Sequence, residues 1–352
     1  MGYAHAQVLC TGSSPFLVRQ WWFIIWKNDD SLFEQKLQKY DVKDIDHIVF
    51  AGMGGSGSIG DTIEAILSKQ NIHVSVVKGY LLPKTVDAKT LVIATSVSGN
   101  TSETLEILNK VKQTSAKAIG FSSGGKLENL CNEKSILYHK IEKIHSPRAS
   151  YLKFLFSILN ILEPILPIKE KEILDALHSL EKTQENIFSG NLTKDNKSLD
   201  LAEFITEFAC IYYPGGLKAS AIRYKNSLQE NAKMHAMTED VLETCHNGIV
   251  SWETNSNIKP VLIQGRNDNE KTIERWSILK EFFNKKEINY KVIQSIEGSI
   301  LSKITNLVYT LDYSTLYLSV LRGIDPTPVD SIDFIKSKLW RDKYNLSVRF
   351  YI

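Results

Sequence analysis

Short apolar runs alternate with amphipathic segments along most of this chain, and this alternation limits the possible folds more than any other feature. Residues 47–51 form the first run, which ends in glycines and is followed by apolar residues at helical spacing in residues 61–69. Strands that alternate with helices form βαβ units, in which the strands pair in parallel. The sequence therefore predicts an α/β fold. Further predicted strands are residues 74–77, 91–94, 117–121, 209–213, 260–263 and 290–293.

The alternation is interrupted once and then resumes, which indicates two α/β halves. A chain of 352 residues exceeds what a single core usually holds. The residue pattern predicts two helices here, at 151–165 and 170–187. An Asn-rich loop follows them at residues 189–197. Residues 104–108 begin another predicted helix of the first half. In the second half the predicted helices are residues 219–237, 272–283, 301–323 and 332–340. We predict an N-terminal extension in 1–44, a first domain in 45–150, a helical connection in 151–200 and a second domain in 201–352.

Composition and charge exclude several classes of protein. Apolar residues make up 43% of the chain and charged residues 23%, which is typical of a folded globular protein. The formal net charge of +2 provides no broad basic field, so we expect no nucleic acid partner. The four cysteines are isolated and form no C-x-x-C pair, which favours a reducing, cytoplasmic location and buried thiols.

An apolar run rich in tryptophan, residues 21–26, is the one segment that raises the question of a membrane. It spans six residues, whereas a helix needs about 20 to cross a bilayer. The polar residues that follow it do not form a signal-peptide cleavage site. We therefore expect no membrane partner and no leader, and we expect the run to pack on the body of the protein or at an oligomer contact.

A glycine-rich segment, residues 52–57 (GMGGSG), separates the first strand from the first helix. Glycines let the backbone approach an anion, and the start of a helix offers free N–H groups. The segment also matches the dinucleotide pattern G-x-G-x-x-G, which requires a carboxylate about 20 positions further on. Residues 76–79 contain none, although Lys78 could suit the phosphate of NADP. A dinucleotide site and a ligand-free turn remain open as alternatives.

A second polar loop, residues 95–101 (TSVSGNT), follows the strand at 91–94 and precedes another helix. Its hydroxyl and backbone N–H groups could bind three phosphate oxygens, or they could simply cap the helix. Both loops follow strands of one parallel sheet, and open α/β sheets bind ligands at the carboxyl ends of their strands. The pair of loops therefore predicts an anion site at that edge.

Residues 52–61 (GMGGSGSIGD) and 96–104 (SVSGNTSET) together resemble the sugar isomerase (SIS) domain, a phosphosugar-binding α/β module. The resemblance implies that the sugar phosphate is bound by the Ser/Thr loop and by the backbone of the glycine-rich segment. The implied phosphate-binding residues are Gly54, Gly55, Ser56, Ser96, Ser98 and Thr101.

Motifs in the rest of the chain extend this resemblance. Glu230, Asn231 and Lys233 form Glu-Asn-x-Lys, and a His-Asn pair follows at residues 246–247. Pro147-Arg148 comes after the first predicted domain, and DPTPV, then Ile332 and Lys336, come near the C-terminus. In this order the motifs resemble the bifunctional phosphoglucose/phosphomannose isomerases, over about residues 45–339. That family implies two SIS-type subdomains, each a mainly parallel sheet flanked by helices, with the site between them.

The resemblance also implies an activity and a catalytic set. The family interconverts glucose 6-phosphate, mannose 6-phosphate or both with fructose 6-phosphate, through a cis-enediolate and without metal or cofactor. Glu230 resembles the base that moves the proton between C2 and C1, and Arg148 resembles the residue that stabilises the enediolate. His246 resembles a ring-opening residue contributed by the partner subunit, which implies a homodimer.

The resemblance also implies site roles for two further residues, Lys336 and Thr327. Lys336 resembles a lysine that assists ring opening, although Lys338 lies two positions away, and Thr327 is implied to line the sugar pocket. The chain departs from the family pattern at Gly248, where Glu is common, and at the two residues before Pro147. These departures concern sugar preference rather than the reaction.

Three other functions remain open at this level. A non-catalytic phosphosugar-binding SIS regulator usually carries a DNA-binding helix-turn-helix, and residues 1–44 show no basic recognition helix. Another sugar-phosphate enzyme, such as a pentose phosphate isomerase, would use the same phosphate loops. An NADP oxidoreductase would require nicotinamide binding.

Overall fold

The computed structural model of the chain describes residues 44–163 and 165–345. The Trp-rich run at residues 21–26 lies outside these ranges, as do Cys10 and nearly all of the predicted N-terminal extension. Within them the predicted fold class is confirmed, because two parallel sheets are each flanked by helices.

The first sheet has five strands, all paired in parallel, in the order β2-β1-β3-β4-β5. The central strands β1 and β3 are buried along their whole length because helices cover both faces of the sheet. The strands are β1 (His47–Ala51), β2 (His73–Val77), β3 (Thr90–Ser96), β4 (Lys117–Ser122) and β5 (Leu137–Lys140). The helices of this half are α1 (Gly54–Leu67), α2 (Ser102–Val111) and α3 (Gly125–Glu133).

Three helices connect this half to the second sheet: α4 (Tyr151–Ile161), α5 (Glu170–Ile187) and α6 (Lys197–Phe204). The second sheet has four parallel strands in the order β7-β6-β8-β9. These strands are β6 (Ala209–Tyr213), β7 (Ala236–Asp240), β8 (Lys259–Gln264) and β9 (Lys291–Gln294). The remaining helices are α7 (Lys218–Asn231), α8 (Val241–Thr244), α9 (Glu270–Lys285), α10 (Ile300–Leu321) and α11 (Asp330–Asn345).

One apolar core joins the two sheets. It contains Phe50 of the first sheet and Ile263 of the second, with Phe154 of α4 and Leu307 of α10 between them. The helices α10 and α7 pack on each other, and α7 also contacts α1. This packing brings Arg223 of α7 close to the start of α1. Among the described helices, none combines the length and apolar character that crossing a membrane requires.

Several predicted elements differ from the structure. The predicted helix at 219–237 is wrong beyond Asn231, because Lys233 has a positive φ of 52° and the edge strand β7 follows. The helix predicted at 61–69 begins earlier, at Gly54, so most of the glycine-rich segment forms its first turns. The elements α3, β5 and α6 were not predicted. The helix α6 begins within the predicted Asn-rich loop, where the side chain of Asn196 caps it.

Candidate active site

Three segments that are distant in the sequence meet at the carboxyl end of α7. Glu230 is in the last turn of α7, and its Oε2 lies 3.2 Å from Nη1 of Arg148. The same guanidinium donates through Nη2 to the backbone oxygens of Pro326, at 2.6 Å, and Thr327, at 2.8 Å. The structure thus brings together Glu230, Arg148 and the turn that contains Thr327.

The Arg148–Glu230 pair is only partly shielded from solvent. The side chain of Arg148 is 18% exposed and that of Glu230 is 32% exposed. A carboxylate that solvent can reach is able to accept a proton from a bound molecule. A guanidinium beside it can stabilise an oxygen on which negative charge develops. The pair therefore combines the two groups that enolisation requires.

Lys233 joins this cluster, although the family resemblance implies no role for it. Its amine donates to the backbone oxygens of Glu230 at 2.5 Å, Pro328 at 2.7 Å and Pro326 at 3.4 Å. Burial, and then the nearby charge of Arg148, lower the pKa of Lys233. Lysines near a helix end often bond its last carbonyl groups, which was the available sequence signal. Lys233 and Arg148 together hold the 326–328 turn beside Glu230.

The two polar loops of the first sheet contact each other, as their placement after adjacent strands predicts. Ser56 is buried in α1, and its Oγ accepts a hydrogen bond from the backbone N–H of Val97 at 3.3 Å. Ser96 and Thr101 share a hydrogen bond of 2.8 Å between their hydroxyl groups. Ser98 is exposed. The backbone of the second loop thus contacts the first turn of α1.

The start of α1 has features that suit an anion. Its N-cap residue, Met53, makes no side-chain cap, and its first turn contains no acidic residue. Gly54 has a φ of 51°, and a Cβ added to Gly55 would lie 3.4 Å from Nη1 of Arg223. The free N–H groups of a first turn bind anions, particularly near a cation.

Lys78, the residue that kept a dinucleotide site open as an alternative, forms an ion pair with a carboxylate of α1. Its amine forms an ion pair of 2.5 Å with Asp61 of α1. Its Cε lies 3.0 Å from where a Cβ on Gly57 would stand. Lys78 therefore lies along α1 and pairs with a carboxylate, so it provides no support for an NADP phosphate site.

The loop that carries Ser96, Ser98 and Thr101 depends on glycine at position 99. Gly99 has a φ of 67°, and an added Cβ would lie 1.7 Å from the backbone oxygen of Gly124. We expect Gly99→Ala to raise KM for a sugar phosphate about tenfold, roughly the loss of one hydrogen bond to a charged group. Steady-state kinetics would measure this, with kcat little changed.

Gly79→Ala provides the matched control, because a Cβ there would meet nothing within 4 Å and φ is not positive. This variant should keep the wild-type KM. An unchanged KM in a folded Gly99→Ala protein would contradict the expectation that this loop binds the phosphate.

The structure does not bring the remaining predicted residues into this cluster. His246 follows α8 and is exposed, and its backbone N–H donates to the oxygen of Glu243 at 2.9 Å. Lys336 and Lys338 are exposed on α11, and the amine of Lys338 lies over the ring of Phe334. Within the described part of the chain, no hydrogen bond or ion pair joins these three residues to Glu230 or Arg148.

Comparisons with known proteins identify the family. Residues 42–162 match the model of the SIS domain, and residues 194–339 match that of the bacterial phospho-glucose isomerase C-terminal SIS domain. A bifunctional phosphoglucose/phosphomannose isomerase from Caldicellulosiruptor bescii is 33% identical over 310 residues, which cover 84% of this chain and 90% of the relative. The chain belongs to this family.

One further relative belongs to the same family, and two solved structures share the fold. A member from Aquifex aeolicus is 30% identical over 298 residues, covering 83% of this chain and 90% of that protein. Tagatose-6-phosphate ketose/aldose isomerase from Escherichia coli has a TM-score of 0.67 at 15% identity, covering 90% of this chain and 95% of its own. The C-terminal domain of glucosamine-fructose-6-phosphate aminotransferase from Francisella tularensis has a TM-score of 0.67 at 18% identity, covering 92% and 98%. These two structures show the fold alone.

Proposed function

We propose that this chain is an aldose–ketose isomerase that interconverts glucose 6-phosphate and mannose 6-phosphate with fructose 6-phosphate through a cis-enediolate. The observation that carries the proposal is the pair formed by Glu230 and Arg148, 3.2 Å apart. Family membership supports the same reaction over a non-catalytic regulator, because the relatives are named as bifunctional phosphoglucose/phosphomannose isomerases.

The proposed reaction moves one proton between two carbons and another between two oxygens. The Glu230 carboxylate removes the proton from C2 of the open-chain aldose, and the C–H electron pair forms the C1–C2 double bond as charge moves onto the carbonyl oxygen. Arg148 stabilises that oxygen by its charge and N–H groups. The proton of the C2 hydroxyl passes to the C1 oxygen, which leaves the negative charge on the C2 oxygen. Glu230 then returns its proton to C1 as the C2 oxygen forms the ketone carbonyl. Since C2 is planar in the enediolate, glucose and mannose 6-phosphates converge on one intermediate.

We assign phosphate binding to the two polar loops. The hydroxyl groups of Ser96, Ser98 and Thr101 lie in one loop, and Ser56 contacts it through Val97. The backbone N–H groups of Gly54 and Gly55 at the start of α1 would complete the site. Arg223 adjoins Gly55 and bonds the backbone oxygen of Arg148, which connects this phosphate site to the Glu230–Arg148 pair.

Ring opening is assigned to His246 and Lys336, with Lys338 as the alternative lysine. We propose a homodimer in which each site receives His246 from the partner subunit. The exposure of His246 supports this arrangement, as does the absence of a hydrogen bond or ion pair between it and the Glu230 of its own chain among the described residues. We propose that Thr327 lines the sugar pocket, since its backbone oxygen is bound by Arg148.

We also propose the predicted domain bounds, 45–150 and 201–352 with a helical connection, and a cytoplasmic location. Each of the two domains contains one of the parallel sheets. The three described cysteines are free, which is usual in a reducing compartment.

The decisive experiment measures fructose 6-phosphate formation by the purified, chelator-treated protein. Glucose 6-phosphate and mannose 6-phosphate are supplied in separate reactions, and we expect turnover of both. If neither glucose 6-phosphate nor mannose 6-phosphate is turned over, the proposal is contradicted. Tight phosphosugar binding without turnover would instead identify a regulator.

A further inference from the structure

Arg223 is a buried cation in α7, two turns before Glu230, and the roles proposed above do not use it. Only 4% of the residue is exposed. Its Nε and Nη2 donate to the Asp312 carboxylate of α10, with the shortest distance 2.7 Å. Ser227 donates to the same carboxylate at 2.6 Å. Positions 223, 227 and 230 lie on one face of a helix.

The guanidinium of Arg223 also contacts the segment that carries Arg148. Its Nη2 donates to the backbone oxygen of Arg148 at 2.8 Å. Its central carbon lies 4.7 Å from the ring centre of Tyr151, whose hydroxyl bonds Thr62 of α1 at 2.6 Å. The side chain of Arg223 thus links the helix that carries Glu230 with the backbone of Arg148. It also packs on Tyr151, which is bonded to α1.

We propose that Arg223, held by Asp312, is a positioning residue for the isomerase reaction that fixes the backbone of Arg148. This inference rests on the proposed function. The side chain of Arg148 reaches Glu230 from a segment in the other half of the chain, so its placement depends on where that backbone is anchored. A misplacement of about 1 Å in a catalytic group can lower a rate about 10²-fold.

Two features favour this role over one in stability alone. A buried ion pair contributes little net stability, because desolvation of both charges offsets their attraction. An apolar pair would fill the same space, yet it could not donate to the backbone oxygen of Arg148. The geometry also requires arginine, because only a planar guanidinium can bond a carboxylate through two nitrogens and a carbonyl at once.

The test is a double-mutant cycle on kcat with Arg223→Lys and Arg148→Ala. Arg223→Lys alone should lower kcat about 10²-fold with KM for fructose 6-phosphate changed less than about threefold. In the Arg148→Ala background the same substitution should lower kcat less than about threefold further, because residues that act as a unit are not additive. If Arg223→Lys does not fold, Asp312→Asn takes its place, since it keeps the shape of the pair and weakens it.

Tyr224→Phe is the matched control. Tyr224 is buried in the same helix and bonds Ser314 of α10, so the variant loosens the same helix contact without touching Arg148. It should keep the wild-type kcat. Additive losses in the cycle, or a wild-type kcat in folded Arg223→Lys, would overturn the positioning role while the proposed function stands. Absence of turnover in the wild-type chain would overturn both.

Discussion

Replacing Glu230 with glutamine is expected to lower kcat about 10³-fold for both aldose phosphates while substrate binding stays nearly unchanged. Glutamine has the shape of glutamate, and its amide oxygen can still accept the hydrogen bond that Arg148 donates at 3.2 Å. It cannot accept the proton from C2. The loss should therefore appear in kcat and not in the affinity for fructose 6-phosphate, measured by calorimetry.

Isotope exchange provides a second readout of the same variant. Wild-type protein in deuterium oxide should incorporate deuterium at C1 of fructose 6-phosphate, because the base exchanges its proton with solvent. Glu230→Gln should not. Glu281→Gln is the control, since Glu281 is an exposed residue of α9 that pairs with Lys285. Near-normal turnover in Glu230→Gln would remove Glu230 from its proposed role.

The sequence predicts the first sheet well for a physical reason. Its central strands are apolar along their whole length, because parallel strands are covered on both faces, and glycine or hydroxyl residues mark where they end. The strand β7 was not predicted because it lies at the edge of its sheet, and its sequence, Ala-Met-Thr-Glu-Asp, contains no apolar run. Only a short turn separates this strand from the helix before it. The positive φ of Lys233 in that turn cannot be predicted from the residue type.

Parts of the candidate site were predictable and others were not. The resemblance selects Glu230, Arg148 and Thr327, and the structure brings their segments together. The position of Lys233 just after a helix end is a signal for its bond to the carbonyl of Glu230, but no sequence pattern reveals its bond to the carbonyl of Pro328. The partner of Arg223 is Asp312, which lies 89 positions further along the chain. Such pairs become visible only when the helices are packed.

Mixing two inactive variants, Glu230→Gln and His246→Ala, is expected to restore activity. If each site takes Glu230 from one subunit and His246 from the other, the mixed dimer contains one site with both residues intact. Random exchange makes half of the dimers mixed, so we expect about a quarter of wild-type activity per chain. Each variant alone should be nearly inactive, and native mass spectrometry would confirm that subunits exchange.

The structure supplies a control for this experiment. Arg148 and Glu230 form their ion pair within one chain, so mixing Glu230→Gln with Arg148→Ala should restore nothing. Both sites of that mixed dimer lack one member of the pair. Recovery with His246→Ala but not with Arg148→Ala would locate His246 across the interface. If neither mixture recovers after confirmed exchange, His246 does not act across the interface.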